Sequence, residues 1–237
     1  MEYHKIDTPF VRDKQTFKVK MWEYRNPVFA LINDWQWTEK IDGTNIRIQY
    51  YPLDRTYTVR GRTDNAQLNC DLVDAIRSLV DVDRFAALAD RWNAKKIVVY
   101  GEGYGAGIQK GGGLYSQRKQ FIAFDILIND TFWLGVRDCE SELAALGLPQ
   151  VPLVGYGPVG MAIALCKQGF NSLLPGPNGG PSQHQAEGVV GRTVYPLFDS
   201  FGKRLIVKLK TTDFEHESEP VASTAERSTT TNVVIAA

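Results

Sequence analysis

The chain of 237 residues carries 27 basic and 27 acidic side chains, so it presents no net basic field, and contact with nucleic acid must come from a local patch. Hydrophobic residues make up 43% and aromatic residues 11%, enough for one large core, while no apolar run approaches the roughly 18 residues of a membrane span. Cys70, Cys139 and Cys166 are scattered and form no C-x-x-C pair, which argues for a reducing compartment and against a zinc site; the N-terminus lacks a signal-peptide core, so a soluble, cytoplasmic protein is expected.

In chain order, residues 1–34 mix charges and aromatics without a regular period, and Tyr3, Phe10, Phe17, Trp22 and Phe29 read as an irregular cover on the core. Two strands then flank the polar loop Glu39-Lys40-Ile41-Asp42-Gly43-Thr44-Asn45, where Asp-Gly reads locally as a hairpin turn. A third strand is expected over residues 56–60. Over residues 69–92, Leu72, Ile76, Leu79 and Val80 recur at helical spacing, and Phe85 with Leu88 continue it after a break at residues 81–83, giving two helices. Residues 96–104 form a buried strand that runs into a glycine-rich loop, 105–117, carrying Lys110. Residues 121–128 are a core strand, paired through Asn129-Asp130 with residues 131–134. Helices follow over 137–146, with Gly147 as C-cap, and 159–168. A loop rich in Pro, Gly and Asn covers 170–185, and the last strands are 187–194 and 204–210. Beyond residue 215 the composition collapses to Ser, Thr, Ala and Glu, so residues 1–214 are expected to form one domain and 215–237 a disordered tail.

Several short motifs follow the lysine loop in order: Arg60-Gly61-Arg62-Thr63, Tyr100-Gly101-Glu102-Gly103-Tyr104-Gly105, the strand from Phe121 through Phe124-Asp125, Glu187-Gly188-Val189-Val190, and Val207-Lys208-Leu209-Lys210. Over residues 35–212 this set resembles the ATP-dependent RNA ligases of the nick-sealing phage repair and trypanosome editing type, within the covalent nucleotidyltransferase superfamily. The resemblance implies an α+β nucleotidyltransferase fold, antiparallel sheets flanked by helices with the nucleotide between them. It implies a lysyl-AMP intermediate on Lys40, transfer of AMP to an RNA 5′-phosphate, and attack by a 3′-hydroxyl. The cofactors would be ATP and magnesium or manganese, and the partner RNA, as a nicked duplex or as ends, with no obligate protein partner evident.

The same resemblance assigns Lys208 and Lys210 to catalysis beside Lys40, and the nucleotide to Glu39, Ile41, Asn45, Arg62, Glu102 and Phe121 together with both late lysines. Glu102 would bind the ribose hydroxyls, Phe121 would stack on adenine, and Glu187 would hold the metal. Arg60 and Phe124 stand as alternatives to Arg62 and Phe121. The residue types suit the chemistry. A lysine amine must lose its proton to attack phosphate, and burial and cationic neighbours favour that loss. Two lysines in K-x-K share one face of a strand, where they can clamp developing phosphate charge.

Rival readings are a small DNA ligase, a capping-type guanylyltransferase, and an inactive nucleic-acid-binding module. A dinucleotide fold is excluded, because the glycines after residue 101 continue into Gly107 and Gly111-Gly112-Gly113 where that fingerprint needs a helix to start. A P-loop motif is absent. The family's further C-terminal domain has no counterpart in the short stretch after Lys210, which predicts a nucleotidyltransferase domain standing alone. His4, His184 and His216 are too dispersed for a metal cluster and receive no role.

Overall fold

The computed structural model describes residues 1–214; the tail expected over 215–237 lies outside the described residues. The first half of the chain contributes β1 (Phe10–Arg12), β2 (Val19–Tyr24), β3 (Trp35–Glu39), β4 (Thr44–Tyr51), β5 (Thr56–Gly61), α1 (Cys70–Leu79), α2 (Val82–Arg91) and β6 (Ile97–Tyr104). The second half adds α3 (Gly112–Tyr115), β7 (Gln120–Ile128), β8 (Phe132–Trp133), α4 (Val136–Leu146), β9 (Leu153–Gly157), α5 (Val159–Gln168), β10 (Gly188–Thr193) and β11 (Ile206–Lys210). A five-stranded sheet has the order β5-β4-β6-β7-β8, and a four-stranded sheet the order β11-β10-β3-β9; within both, all neighbours run antiparallel. β1 and β2 form a separate two-stranded ribbon. This is the expected α+β arrangement. Among the described residues no helix is long and apolar enough to cross a membrane.

Period-2 alternation divides each large sheet into a core face and an inner face. On the five-stranded sheet Ile46, Ile48, Ile97, Val99 and Phe121 pack under Leu72 and Ile76 of α1, Phe85 and Leu88 of α2, and Leu143 of α4. On the four-stranded sheet Trp35, Trp37, Val189, Val207 and Leu209 pack under Val159, Ala162 and Ile163 of α5. The faces left over look toward each other. α1 and α2 start where side-chain acceptors satisfy free N–H groups: Asn69 accepts from Asp71 N, and Asp81 from Asp83 N and Arg84 N. Gly147 closes α4 in the left-handed region, φ 72°. The β7-β8 hairpin has a three-residue connection, residues 129–131, in which Asn129 and Asp130 take positive φ and Thr131 N donates to the Ile128 carbonyl at 3.2 Å.

The lysine loop is not a hairpin. β3 pairs with β10 and β9 in one sheet, whereas β4 pairs with β5 and β6 in the other. Residues 40–43 therefore carry the chain from one sheet to the other. Gly43 allows that passage, since a Cβ there would lie 2.2 Å from the Gly103 carbonyl oxygen.

Residues 1–34 are also more ordered than an irregular cover. β1 and β2 pair, and Phe10 joins the core of the four-stranded sheet. Residues 1–7 form a strap between the two sheets. At one end the Met1 carbonyl accepts from Arg47 Nη1 (3.2 Å) and Tyr100 Oη (2.9 Å). At the other, Lys208 N donates to the Asp7 carbonyl at 3.1 Å.

Candidate active site

Where the inner faces meet, the register of the four-stranded sheet builds successive rows. Gly188 opposes Lys210, and Lys40 N donates to the Gly188 carbonyl at 2.9 Å, so Lys40, Gly188 and Lys210 form one row. Two residues further along, Lys208, Val190 and Thr38 form the next, followed by Ile206, Arg192 and Gln36. The five-stranded sheet answers with Asn45 opposite Glu102 and Glu102 opposite Ile122. A cavity of about 190 Å³ lies between these rows and is lined by Glu39, Lys40, Ile41, Asn45, Arg62, Glu102 and Lys208, together with Thr38, Phe124, Val151, Val190, Arg192 and residues 3–6.

Lys40 Nζ donates to Glu187 Oε2 at 2.5 Å, and Lys210 Nζ donates to Glu187 Oε1 at 2.6 Å. Burial alone would raise the Glu187 carboxyl, but the charge of Lys40 and the hydrogen bonds from both lysines outweigh it and hold the group below its ordinary value. Lys208 is half-buried between the same charges; burial first, then Lys40 and Lys210, lower its pKa. The three predicted lysines thus converge, but in two roles. Lys208 lines the cavity, while Lys210 is turned onto Glu187.

Glu102 keeps part of its surface open to the cavity and is enclosed by protein on its other sides; burial pushes its carboxyl up to about 8, with Lys40 opposing and Glu187 adding to the shift. Its folded pKa lies above its unfolded value of 4.5, so the stability it contributes is complete below that value and lost as pH climbs through about 8. His4 runs the opposite way: burial lowers it from 6.5 to about 4, so its contribution grows with pH and is complete by 6.5. Between pH 6.5 and 8 Glu102 acts without His4. The melting temperature of the ligand-free protein is therefore expected to fall more steeply across that window in wild type than in Glu102→Gln. Equal slopes in the two proteins would refute this.

Glu39 is buried, accepts from Leu173 N at 2.8 Å through Oε2, and leaves Oε1 without a partner; burial raises its pKa. Asn45 Oδ1 is likewise buried and unpartnered. Unsatisfied acceptors of this kind are costly and mark where donors of a ligand would fit. Ile41 packs with Tyr104, Tyr115, Ile122 and Leu174, closing the cavity beneath the lysine.

Two of the residue alternatives separate in space. Arg62 lines the cavity, whereas Arg60 sits on β5 opposite Arg47, exposed and off the wall. Phe121 is 1% exposed and lies in the core beneath α1, with its ring against Gly101. The residue on the cavity wall is Phe124. The cause is a β-bulge: Gly101 opposes Ala123 and Tyr100 opposes Asp125, so Phe124 is an extra residue on β7. The bulge switches the core-facing parity from Phe121 and Ala123 to Ile126 and Ile128, and turns Phe124 inward. Asp125 beside it is fully buried and binds Tyr3 Oη (2.8 Å), Arg204 Nη1 (2.6 Å) and Arg192 Nη1 (3.5 Å). Arg192 also donates to the Phe124 carbonyl, pinning the bulge to the opposite sheet.

A divalent cation fits this site only in a particular way. Among the described residues no group of three or more His, Cys, Asp or Glu could hold a metal. Glu102 and Glu187 are two carboxylates close enough to repel each other, and a magnesium-like ion takes one or two carboxylates and completes its shell with water and phosphate oxygens.

Comparison with known proteins bears on the fold and the family. A search of curated proteins finds no match. Among solved structures, a mutant of Naegleria gruberi RNA ligase with ATP and Mn superposes with a TM-score of 0.60 at 16% identity, covering 90% of this chain and 61% of that one. The same ligase with PPi gives 0.59 at 19% identity, covering 90% and 62%. An archaeal ATP-dependent RNA ligase gives 0.58 at 17% identity, covering 90% and 49%. The present chain thus spans about three fifths of the Naegleria chains and about half of the archaeal one, and at these identities the likeness is one of fold. The family model described as RNA ligase matches residues 33–210, from just before β3 to the end of β11 and across every cavity residue outside the strap, and this chain belongs to the RNA ligase family.

Proposed function

We propose that this chain is an ATP-dependent RNA ligase. Lys40 attacks the α-phosphate of ATP and expels pyrophosphate, forming a phosphoamide bond to AMP. The AMP passes to an RNA 5′-phosphate, and a 3′-hydroxyl then attacks that phosphate with AMP leaving. The observation that carries this reading is the convergence of Lys40, Lys208 and Lys210, from β11 and the loop that joins the two sheets, around Glu187 beside one cavity.

The chain's own residues divide the nucleotide between them. The base lies between Phe124 and Val190, where the unpartnered Glu39 Oε1 suits the exocyclic amino group of adenine; guanine would present an acceptor oxygen at that edge. Asn45 and Glu102 face the ribose, and Lys208 and Arg62 the phosphates. Glu187 would hold magnesium or manganese, which when bound supplies positive charge to the phosphates. The same residues argue against an inactive binding module, which has no need of a lysine-carboxylate-lysine bridge next to a lined cavity.

The test is incubation with α-labelled ATP or GTP and magnesium, followed by joining assays on nicked duplexes. Label from ATP in preference to GTP and sealing of RNA 3′-hydroxyl ends support the proposal. Preferential label from GTP points to a capping-type enzyme, and an all-DNA nick joined as fast as the RNA version points to a DNA ligase.

The two phenylalanines give a second expected result. Phe124→Ala should raise the ATP needed for half-maximal labelling about tenfold or more through loss of one base stack, with little change in stability. Phe121→Ala should instead cost about 3–5 kcal/mol of stability by opening the core. Denaturant unfolding beside labelling curves distinguishes them, and reversed phenotypes would return Phe121 to the nucleotide.

A further inference from the structure

The cavity has more positive charge than one α-phosphate requires. Its lining includes the basic side chains of Lys5, Lys40, Arg62, Arg192 and Lys208. Lys40 is paired with Glu187 and Arg192 with Asp125. Lys5, Arg62 and Lys208 have no ion-pair partner among the described residues, and Lys5 and Arg62 are exposed. Lys208, set in the row next to Lys40, is placed for the phosphate that Lys40 attacks. Two cations remain.

Lys5 is held there by its neighbours on both sides. Tyr3 is tied by its hydroxyl to Asp125, and Asp7 forms a parallel bridge to Val207 while accepting from Lys208 N. The strap between these anchors spans the gap between the sheets, and Lys5 lines the cavity from it without being buried. A lysine ammonium set on an anchored backbone and left without a carboxylate keeps its three donors free for a phosphate.

We propose that Lys5, together with Arg62, binds a phosphate group beyond the α-phosphate: the β,γ-phosphates of ATP or the 5′-phosphate of the RNA. This rests on the ligase reading above and adds the N-terminal strap, which lies outside the region matched by the family model, to the working site.

Three measurements on Lys5→Ala and Lys5→Arg test it: single-turnover labelling across ATP concentrations, loss of label driven by pyrophosphate, and AMP transfer from labelled protein to 5′-phosphorylated RNA. Loss of one charge-assisted contact is worth about tenfold or more. If the group is the β,γ-phosphate pair, Lys5→Ala needs that much more ATP and pyrophosphate while AMP transfer is unchanged. If it is the RNA 5′-phosphate, labelling is unchanged and AMP transfer needs more RNA. Impairment in either or both, recovered largely in Lys5→Arg, supports the proposal. Lys5→Ala equal to wild type in all three overturns it. So does equal impairment of both variants, which makes Lys5 a structural tie of the strap. If wild type takes no label from ATP, the ligase reading falls first; wild type labelled with Lys5→Ala identical to it removes only this inference.

Discussion

Lys40→Ala is expected to abolish covalent labelling of the protein by α-labelled ATP, and Lys40→Arg to fail as completely. Lys40 is the lining residue placed at the junction of the two sheets, tied through its backbone N–H to Gly188 and through Nζ to Glu187. Removing the amine removes the atom that forms the bond to phosphorus, so no residual covalent rate is expected above background. Arginine keeps the charge and much of the length, yet its guanidinium holds its proton in proteins and offers no free lone pair. Both variants should remain folded, because Lys40 is only half-buried and the loop passage depends on Gly43 rather than on the lysine side chain. The measurement is label on the protein after gel separation, with melting curves as the control. Label retained in a folded Lys40→Ala would move the nucleophile elsewhere and end the site assignment. A further readout is sealing of a nick whose 5′ end already carries AMP, since that step needs no nucleophile at Lys40. Retention of that activity in Lys40→Ala would show that the rest of the cavity is intact.

The strands and helices of the core were readable because their signals are local. Leu72, Ile76, Phe85 and Leu88 repeat at helical spacing and are buried in α1 and α2, and Asn129 and Asp130 take the positive φ of the turn they mark. The motif order marks Lys40, Glu102, Glu187, Lys208 and Lys210 in the sequence; the register of β3, β10 and β11 brings the three lysines and Glu187 together, and Glu102 meets them from β6 across the cavity. What was not legible depends on long-range pairing. The Asp-Gly signal says that the chain turns at the lysine loop, but not that β3 and β4 belong to different sheets. The choice between Phe121 and Phe124 turns on one extra residue opposite Tyr100 and Gly101, and a bulge leaves no mark in strand alternation until its partner is known. β9, Leu153–Gly157, carries exposed Leu153 and Tyr156 and two glycines, so it lacks the apolar run that marks a core strand. The strap escaped for the same reason as Arg192. Their partners, Asp125, Arg47 and the Phe124 carbonyl, lie far away in sequence, and no spacing rule connects them.

The two late lysines are expected to fail in different ways, although they sit two residues apart on one strand. Lys208 lines the cavity with no ion-pair partner among the described residues, and burial together with the charges of Lys40 and Lys210 already disfavours its protonated form. An anion beside it would relieve that disfavour, so its contact strengthens as charge develops on the attacked phosphate. Lys208→Ala should therefore lower the single-turnover rate at saturating ATP by about 10²- to 10³-fold, the loss typical of one transition-state donor. Lys210 instead holds Glu187 Oε1 at 2.6 Å while Lys40 holds Oε2. Without Lys210 the carboxylate loses one of the two cations that keep it ionised and oriented. Lys210→Ala should then shift the magnesium concentration needed for half-maximal labelling, a readout that Lys208→Ala leaves nearly in place. Glu187→Ala should be the most severe of the three, because it leaves Lys40 and Lys210 without the carboxylate between them and Lys208 with Asp7 as its remaining counter-charge. Its labelling should be lost at every magnesium concentration, and Glu187→Gln should not restore it, since an amide keeps the shape without the charge. The experiment is a grid of ATP and magnesium concentrations for the four variants, each first shown to melt cooperatively. Identical magnesium curves for Lys208→Ala and Lys210→Ala would remove the division of labour, and wild-type rates in both would reduce the pair to lysines that protect an exposed strand edge.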